Sequence, residues 1–356
     1  MTRRIAHLLA LALLAPALVF GAADYPPVTP GYPLSFPADG GSHPLFRTEW
    51  WYVTGWLQTP AGQPIGFQIT FFRNRLAAAE TNPSRFAPRQ LLVAHAAVSD
   101  PRIGHLLHDQ RAARAGFGLA EAAVGKTAVW IDDWSLQSSG QGYRASIPAR
   151  DFRLELAFEP SQPPLPNGRN GFSQKGPVPA SASYYYSVPQ LMVRGTLSRK
   201  NATESVTGTA WLDHEWSTAY LDPRAVGWDW IGINLADGGA LMAFRMRGKQ
   251  GDSYWAGGTY RRVGGQVEIF KPGDIRFTPL RHWRSPRSGT DYPVAWQVRA
   301  GALNLELEPL MEDQENDTRA SIGTIYWEGA VRALKDGQAA GQGYLELTGY
   351  WRPLGR

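Results

Sequence analysis

The sequence predicts an all-β protein made of two tandem antiparallel barrels packed against each other, and three observations carry that expectation. First, apolar and polar residues alternate with period two through residues 65–71 (IGFQITF), 91–98 (LLVAHAAV), 154–158 (LELAF) and 303–307 (LNLEL). Each run is bounded by Gly, Pro or Asn, as half-buried strands joined by turns are. Second, the chain holds 14 Trp, 38 Gly and 27 Pro with only 19% charged residues, a balance usual in sandwiches and barrels. The best helical stretch, residues 112–123, is weakened by Gly116 and Gly118. Third, an internal repeat is visible. WYVTGWL (51–57), a PAG turn (60–62) and residues 67–73 resemble WDWIGINL (228–235), a DGG turn (237–239) and residues 241–247. Each copy reads as an aromatic-led hairpin that opens a barrel.

Taken in order, residues 1–23 have a basic end (Arg3, Arg4), an apolar run over 5–20 and the small residues Gly21, Ala22 and Ala23. That is a secretory signal with a cut before Asp24, because the run is too short to span a bilayer. It predicts a secreted or periplasmic protein with no transmembrane segment once the signal is removed. The first barrel is assigned to residues 24–219 and the second to 220–356, with turn chemistry at Asp222-Pro223-Arg224 near the boundary. Residues 160–183 form the longest Pro-, Gly- and Ser-rich stretch, and such a loop suits a cover over a pocket mouth. Residues 323–331 and 343–350 read as the closing hairpin. There Tyr344, Glu346 and Thr348 share a face, and Glu346 is expected to be exposed or to line a wet cavity, with exposure favoured. The chain has no Cys, so neither a disulfide framework nor a lipidated cysteine is available. A formal charge of +5, two units of it from Arg3 and Arg4, is spread without a basic run, and no nucleic-acid partner is expected.

The chemistry concentrates in GTAWLDHEWS, residues 208–217. As a strand it puts Leu212, His214 and Trp216 on one face and Trp211, Asp213 and Glu215 on the other. Carboxylate beside indole recurs at Glu49-Trp50-Trp51 and Trp228-Asp229-Trp230. A carboxyl against apolar aromatics has its pKa pushed up and can act as a general acid near neutrality. Indole faces can stabilise the carbocation made by protonating an alkene. The candidate catalytic residues are therefore His214, Glu215, Asp213 and Glu49. Trp216, Trp51, Trp228, Trp230, Asp229, His95 and Tyr185 are candidates to bind an apolar small molecule. The same residues also suit a purely structural role: a satisfied hydrogen-bond network between domains, tryptophans in the core, and His95 bonded within an apolar strand. No metal or cofactor is expected, since His105 and His108 lack a third ligand. Gly-x-Ser-x-Gly, His-Glu-x-x-His and P-loop motifs are absent from the sequence.

HPLFRTEWWYVTGWL, LLVAHAAVSD, GFSQKG with SYYYS, GTAWLDHEWS, GWDWIGINLADGGALMAFRMR, YWEGAV and GYLELTGYW run collinearly from His43 to Trp351. On these motifs the chain resembles secreted proteins of the AttH and carotenoid 1,2-hydratase (CrtC) type. The resemblance implies two lipocalin-like barrels, and relatives that hydrate isoprenoid or plant phenolic double bonds or bind a polyene between the domains. The hydratases' His-x-Trp pair falls on His214 and Trp216. Their second-domain acid has no counterpart in residues 240–244, which leaves Asp213, Glu215, Glu49 or Asp229 as the implied proton donor. AttH proteins are encoded beside ABC transporter permeases, which implies such a permease as a partner and a carrier of lipophilic ligands as the alternative to an enzyme.

Overall fold

The computed structural model describes residues 25–354 apart from Asn201, so the expected signal at residues 1–23 lies outside the described residues. Two antiparallel sheets account for nearly all of the ordered backbone. The repeat seen in the sequence becomes two hairpins, Thr48–Gln58 with Pro64–Arg75 and Gly227–Leu235 with Ala240–Arg247. The first sheet runs from an edge at Leu107–Arg114 through both strands of the first hairpin to Ala202–Ser217, and ends at Ala120–Ala122. Its two edge strands are near neighbours in the chain, so the sheet has curled until its ends approach. The second sheet behaves alike, with edges at Val267–Phe270 and Ile275–Arg284. No described helix is long and apolar enough to cross a membrane.

Residues 112–123 are not a helix. Leu107–Arg114 and Ala120–Ala122 are strands, and Gly116 and Gly118 turn the chain between them at φ of 88° and 72°. Glycine takes up such angles at little cost, which is the reason the Ala- and Arg-rich stretch breaks here.

Three apolar clusters result. One fills the first barrel, one the second, and a third lies between them around Tyr52, Trp56, Trp211, Trp230 and Tyr344. Strands at this junction are buried on both faces: in Thr48–Gln58, Trp51 and Val53 enter the first barrel while Tyr52 and Trp56 face the second. Polar groups fix the docking as well. Trp56 Nε1 donates to the Gly343 carbonyl at 2.9 Å, and Gln190, at a bulge with φ 55°, donates to Asn234, Leu235 and Gly239. Residues 160–183 are tied to the second sheet through Gln162 to the Gly238 carbonyl and the Gly168 amide to Thr259.

The closeness of the barrels can be tested at Gly66. A Cβ there would lie 2.6 Å from Ala330 Cβ and 2.9 Å from the Tyr344 hydroxyl. Gly66→Ala is expected to lose about 1–3 kcal/mol in denaturant unfolding, as overpacked sites do. An unchanged midpoint would mean that the barrels are not in contact at this seam.

Candidate active site

The face that the two central strands turn toward the second barrel lines a cavity of about 390 Å³. Its walls are aromatic. Tyr220 meets Trp50 edge-on at 5.2 Å and Trp228 at 6.0 Å, and Tyr52 stands at 87° to Trp230. Into this apolar space project the carboxyls of Asp213, Glu215, Glu328 and Glu346, with Lys175 as a single ammonium.

The four acids are not equivalent. Asp213 accepts from Tyr185 at 2.5 Å and from Ser187 and the Trp211 indole at 2.6 Å each. Burial still pushes its pKa up to about 7, because three neutral donors do not replace lost hydration. Tyr185 also receives the Trp230 indole N–H at 3.0 Å, so Tyr185 stands behind Asp213 and orients it. Glu215 is paired to Lys175 at 3.0 Å and hydrogen-bonded by Ser183. Lys175, from the Pro- and Gly-rich stretch, lies 4.3 Å from the centre of the Phe244 ring.

Glu328 and Glu346 differ from both. They are directly opposite on the strands Ile325–Lys335 and Gln338–Leu347, on one face. Opposed Cβ atoms in such a pair are about 4.5–5.5 Å apart. Glu346 accepts from the Trp228 indole at 3.1 Å, whereas Glu328 has the hydroxyls of Tyr52 and Tyr326 beside it. Burial raises Glu346 to about 7 and holds Glu328 well above the carboxylate range, the charge of Glu346 adding to the second shift. Two carboxyls so placed cannot both ionise at neutral pH, and one proton stays on the pair.

The structure separates residues that the sequence reading put in one cavity. His214 and Trp216 share a face with Glu49 and Trp51, but that face is the sealed interior of the first barrel. Glu49 there accepts from His43 at 2.7 Å and His214 at 2.9 Å and pairs with Arg73 at 2.8 Å, while His43 reaches Asp39 at 3.0 Å. Trp216 stacks on His43 at 3.7 Å and Trp51 on His214 at 4.7 Å. Opposite charges and hydrogen bonds hold the Glu49 pKa far down and raise that of His43, both against the effect of burial. The network clamps the segment carrying Asp39, Ser42 and His43 against the barrel. His43, Glu49 and His214 present ligand atoms within 4.8 Å of one another, the donor types of a metal site, yet Glu49 is already hydrogen-bonded by both imidazoles and paired with Arg73.

Asp229 points the other way from Trp228 and Trp230, to Arg245 at 2.5 Å, Arg247 at 3.2 Å and Tyr350 at 3.0 Å. It is an ion-pair anchor, with no access to the cavity. His95 lies in the seam between barrels, beside the cavity-lining Tyr326. Of the sequence candidates, Asp213, Glu215, Trp228 and Trp230 line the cavity. Sequence reasoning missed Glu328, Tyr326, Tyr52 and Lys175 as site residues, and for Glu346 it favoured exposure over the cavity lining that the structure shows. The shared face of Tyr344, Glu346 and Thr348 was visible, and it faces the junction and its cavity.

No curated protein matches the chain. A crystal structure at 2.00 Å resolution of an AttH-type protein from Nitrosomonas europaea is similar at 52% identity and TM-score 0.86, covering 91% of this chain and 99% of that one. Kievitone hydratase from Nectria haematococca shares the fold at 12% identity and TM-score 0.66, covering 91% and 95%. The AttH-like family model matches residues 27–350, and the chain belongs to the AttH-like family.

Proposed function

We propose that the chain is a hydro-lyase that adds water to, or removes it from, a carbon–carbon double bond of a small apolar substrate held between the barrels. The observation that carries this reading is the facing Glu328–Glu346 pair, which keeps a proton in an aromatic cavity at neutral pH. The protonated member gives its proton to one alkene carbon, and the cation that develops on the other carbon is faced by the Trp228 and Trp230 rings. Water forms the new C–O bond and yields a proton to the pair, restoring it. The kinship in fold with kievitone hydratase supports the reaction class. A cavity of about 390 Å³ is at the low end of the roughly 300–1,000 Å³ of ligand sites, favouring a short isoprenoid or a phenolic over a long carotenoid. The same reading places the protein outside the cytoplasm, on the signal-like residues 5–20.

The test is to incubate the protein with unsaturated isoprenoids and phenolics in isotopically labelled water and follow oxygen incorporation by mass spectrometry. Incorporation into one class is expected. Ligands retained by the protein but recovered without label across the panel would sink the enzyme reading and favour a carrier serving an ABC permease.

A further inference from the structure

One end of the first barrel carries apolar side chains that the core does not claim. Leu45, Phe86, Phe117 and Leu119 are 67%, 66%, 52% and 42% exposed. The strand Pro64–Arg75 ends there and Gln90–Ser99 begins there, since Arg75 pairs with Gln90; Leu107–Arg114 ends beside them, since Arg114 pairs with Leu91. Phe86 comes from the connection between the first two of these strands and Phe117 from the turn after the third. Their rings stack on each other, 5.3 Å apart at 14°. The display is held in place by hydrogen bonds. Arg114 donates to the Phe86 and Ala87 carbonyls at 2.6 and 3.3 Å and lies 4.4 Å from the centre of the Phe117 ring, so one guanidinium ties both tips together. Within the connection the Ser84 amide donates to Asn82 at 2.9 Å, the Phe86 amide to Ser84 at 3.1 Å, and Arg89 to the Asn82 carbonyl at 2.9 Å. Phe117 sits at φ 59° between Gly116 and Gly118, a costly backbone angle for a residue that then buries so little of its ring.

The charge around these rings has one sign. Arg47, Arg85 and Arg89 are exposed at the same end. Glu80 is the only acid in residues 75–99, and Arg75 holds it at 2.7 Å. Exposed aromatic and aliphatic side chains ringed by uncompensated arginines match a bilayer surface with anionic headgroups: the rings enter the acyl boundary and the guanidiniums meet phosphates. Two further facts bring lipid to this end. Tyr25 lies under the Arg75 guanidinium at 4.9 Å, so the apolar run over 5–20 joins the molecule here. Thr48 and Asn74, half-buried and hydrogen-bonded at 2.8 Å, line the inter-barrel cavity, and Asn74 is the residue before Arg75.

We propose that Phe86 and Phe117, flanked by Leu45 and Leu119 and ringed by Arg47, Arg85 and Arg89, are a docking face for an anionic lipid surface. Docked so, the protein holds one end of the inter-barrel cavity at the bilayer, where apolar molecules collect. None of these residues takes part in the hydro-lyase reading, so the two stand or fall separately.

The chain has no Cys, so Leu119→Cys can carry a single environment-sensitive dye. His105→Cys carries the control, past the far end of the ten-residue strand Gln90–Ser99 and about 30 Å away. Added to the full chain, vesicles of mixed phosphatidylcholine and phosphatidylglycerol are expected to shift the dye at 119 to the blue and leave that at 105 unchanged. Vesicles of phosphatidylcholine alone are expected to bind at least about tenfold more weakly. Phe86→Ser together with Phe117→Ser lowers partitioning into the mixed vesicles by about tenfold or more. Arg85→Gln and Arg89→Gln lower it about fivefold for each charge removed, the equivalent of about 1 kcal/mol. No shift at 119, equal shifts at both positions, or equal binding to the two kinds of vesicle would overturn the docking face. So would a shift that survives the double Phe variant, which would assign the membrane contact to residues 5–20, or a dye already shifted before lipid is added, which would mean that the same residues cover the patch.

Discussion

In Glu328→Gln and Glu346→Gln, turnover is expected to fall about 10²–10⁴-fold, the span of general acid–base catalysis, while ligand is still bound. Either amide keeps the side-chain volume but ends the sharing of a proton between facing carboxyls. Titration separates this from a loss of structure. A carboxyl whose folded pKa is raised adds stability below its ordinary value, here 4.5, and that stability is lost as pH rises through the folded value, about 7 for Glu346. The wild type should therefore lose stability progressively from about pH 4.5 up to the folded values, and lose activity as pH rises through them. Each Gln variant should show a flatter stability profile there, since it no longer ionises a buried pair. Variants that keep full turnover, measured as labelled-oxygen incorporation, would remove the pair from the mechanism.

The facing of those two acids shows where reading the sequence stops. Asp336 and Gly337, at φ of 51° and 76°, make the two-residue turn that Asp-Gly between alternating strands announces. Counting outward from that turn puts Glu328 opposite Leu345. A bulge between Ala333 and Leu334 moves the register by one, and Glu328 meets Glu346 instead. The added residue, Ala340 on the partner strand, exchanges the faces of everything beyond it, and nothing in the VRALK stretch that it faces marks the bulge. The faces of GTAWLDHEWS were legible for the opposite reason: alternation alone divides His214 and Trp216 from Asp213 and Glu215. Which face was the cavity was not legible, because a strand between two barrels is buried on both sides and carries aromatic and polar residues on each. His43 gave no signal either. It lies in an irregular segment, where no periodicity shows that its ring will stack on Trp216.

Glu49→Gln is expected to cost about 3–5 kcal/mol of stability, as breaking a buried charge pair from one side does, with the inter-barrel site intact in whatever fraction remains folded. Arg73 is fully buried and would keep its charge without the carboxylate 2.8 Å away, and His43 would lose one of its two acidic neighbours. Arg73→Met should be comparably damaging. The double variant should lose clearly less than the sum, because the second change removes the charge that the first left unpaired. The pH dependence has two limbs. Glu49, with a folded pKa far below its ordinary 4.5, contributes stability above that value and loses it only in strong acid. His43, raised above its ordinary 6.5, contributes fully below 6.5 and loses its share as pH rises through its folded value. In Glu49→Gln the acid limb due to Glu49 disappears, and the His43 limb shrinks toward the contribution of Asp39 alone. Additive losses in the cycle would mean that Glu49 and Arg73 are not coupled. A Glu49→Gln protein that unfolds at the wild-type midpoint yet has lost turnover would return His214 and Glu49 to the reaction and take the clamp assigned to them away.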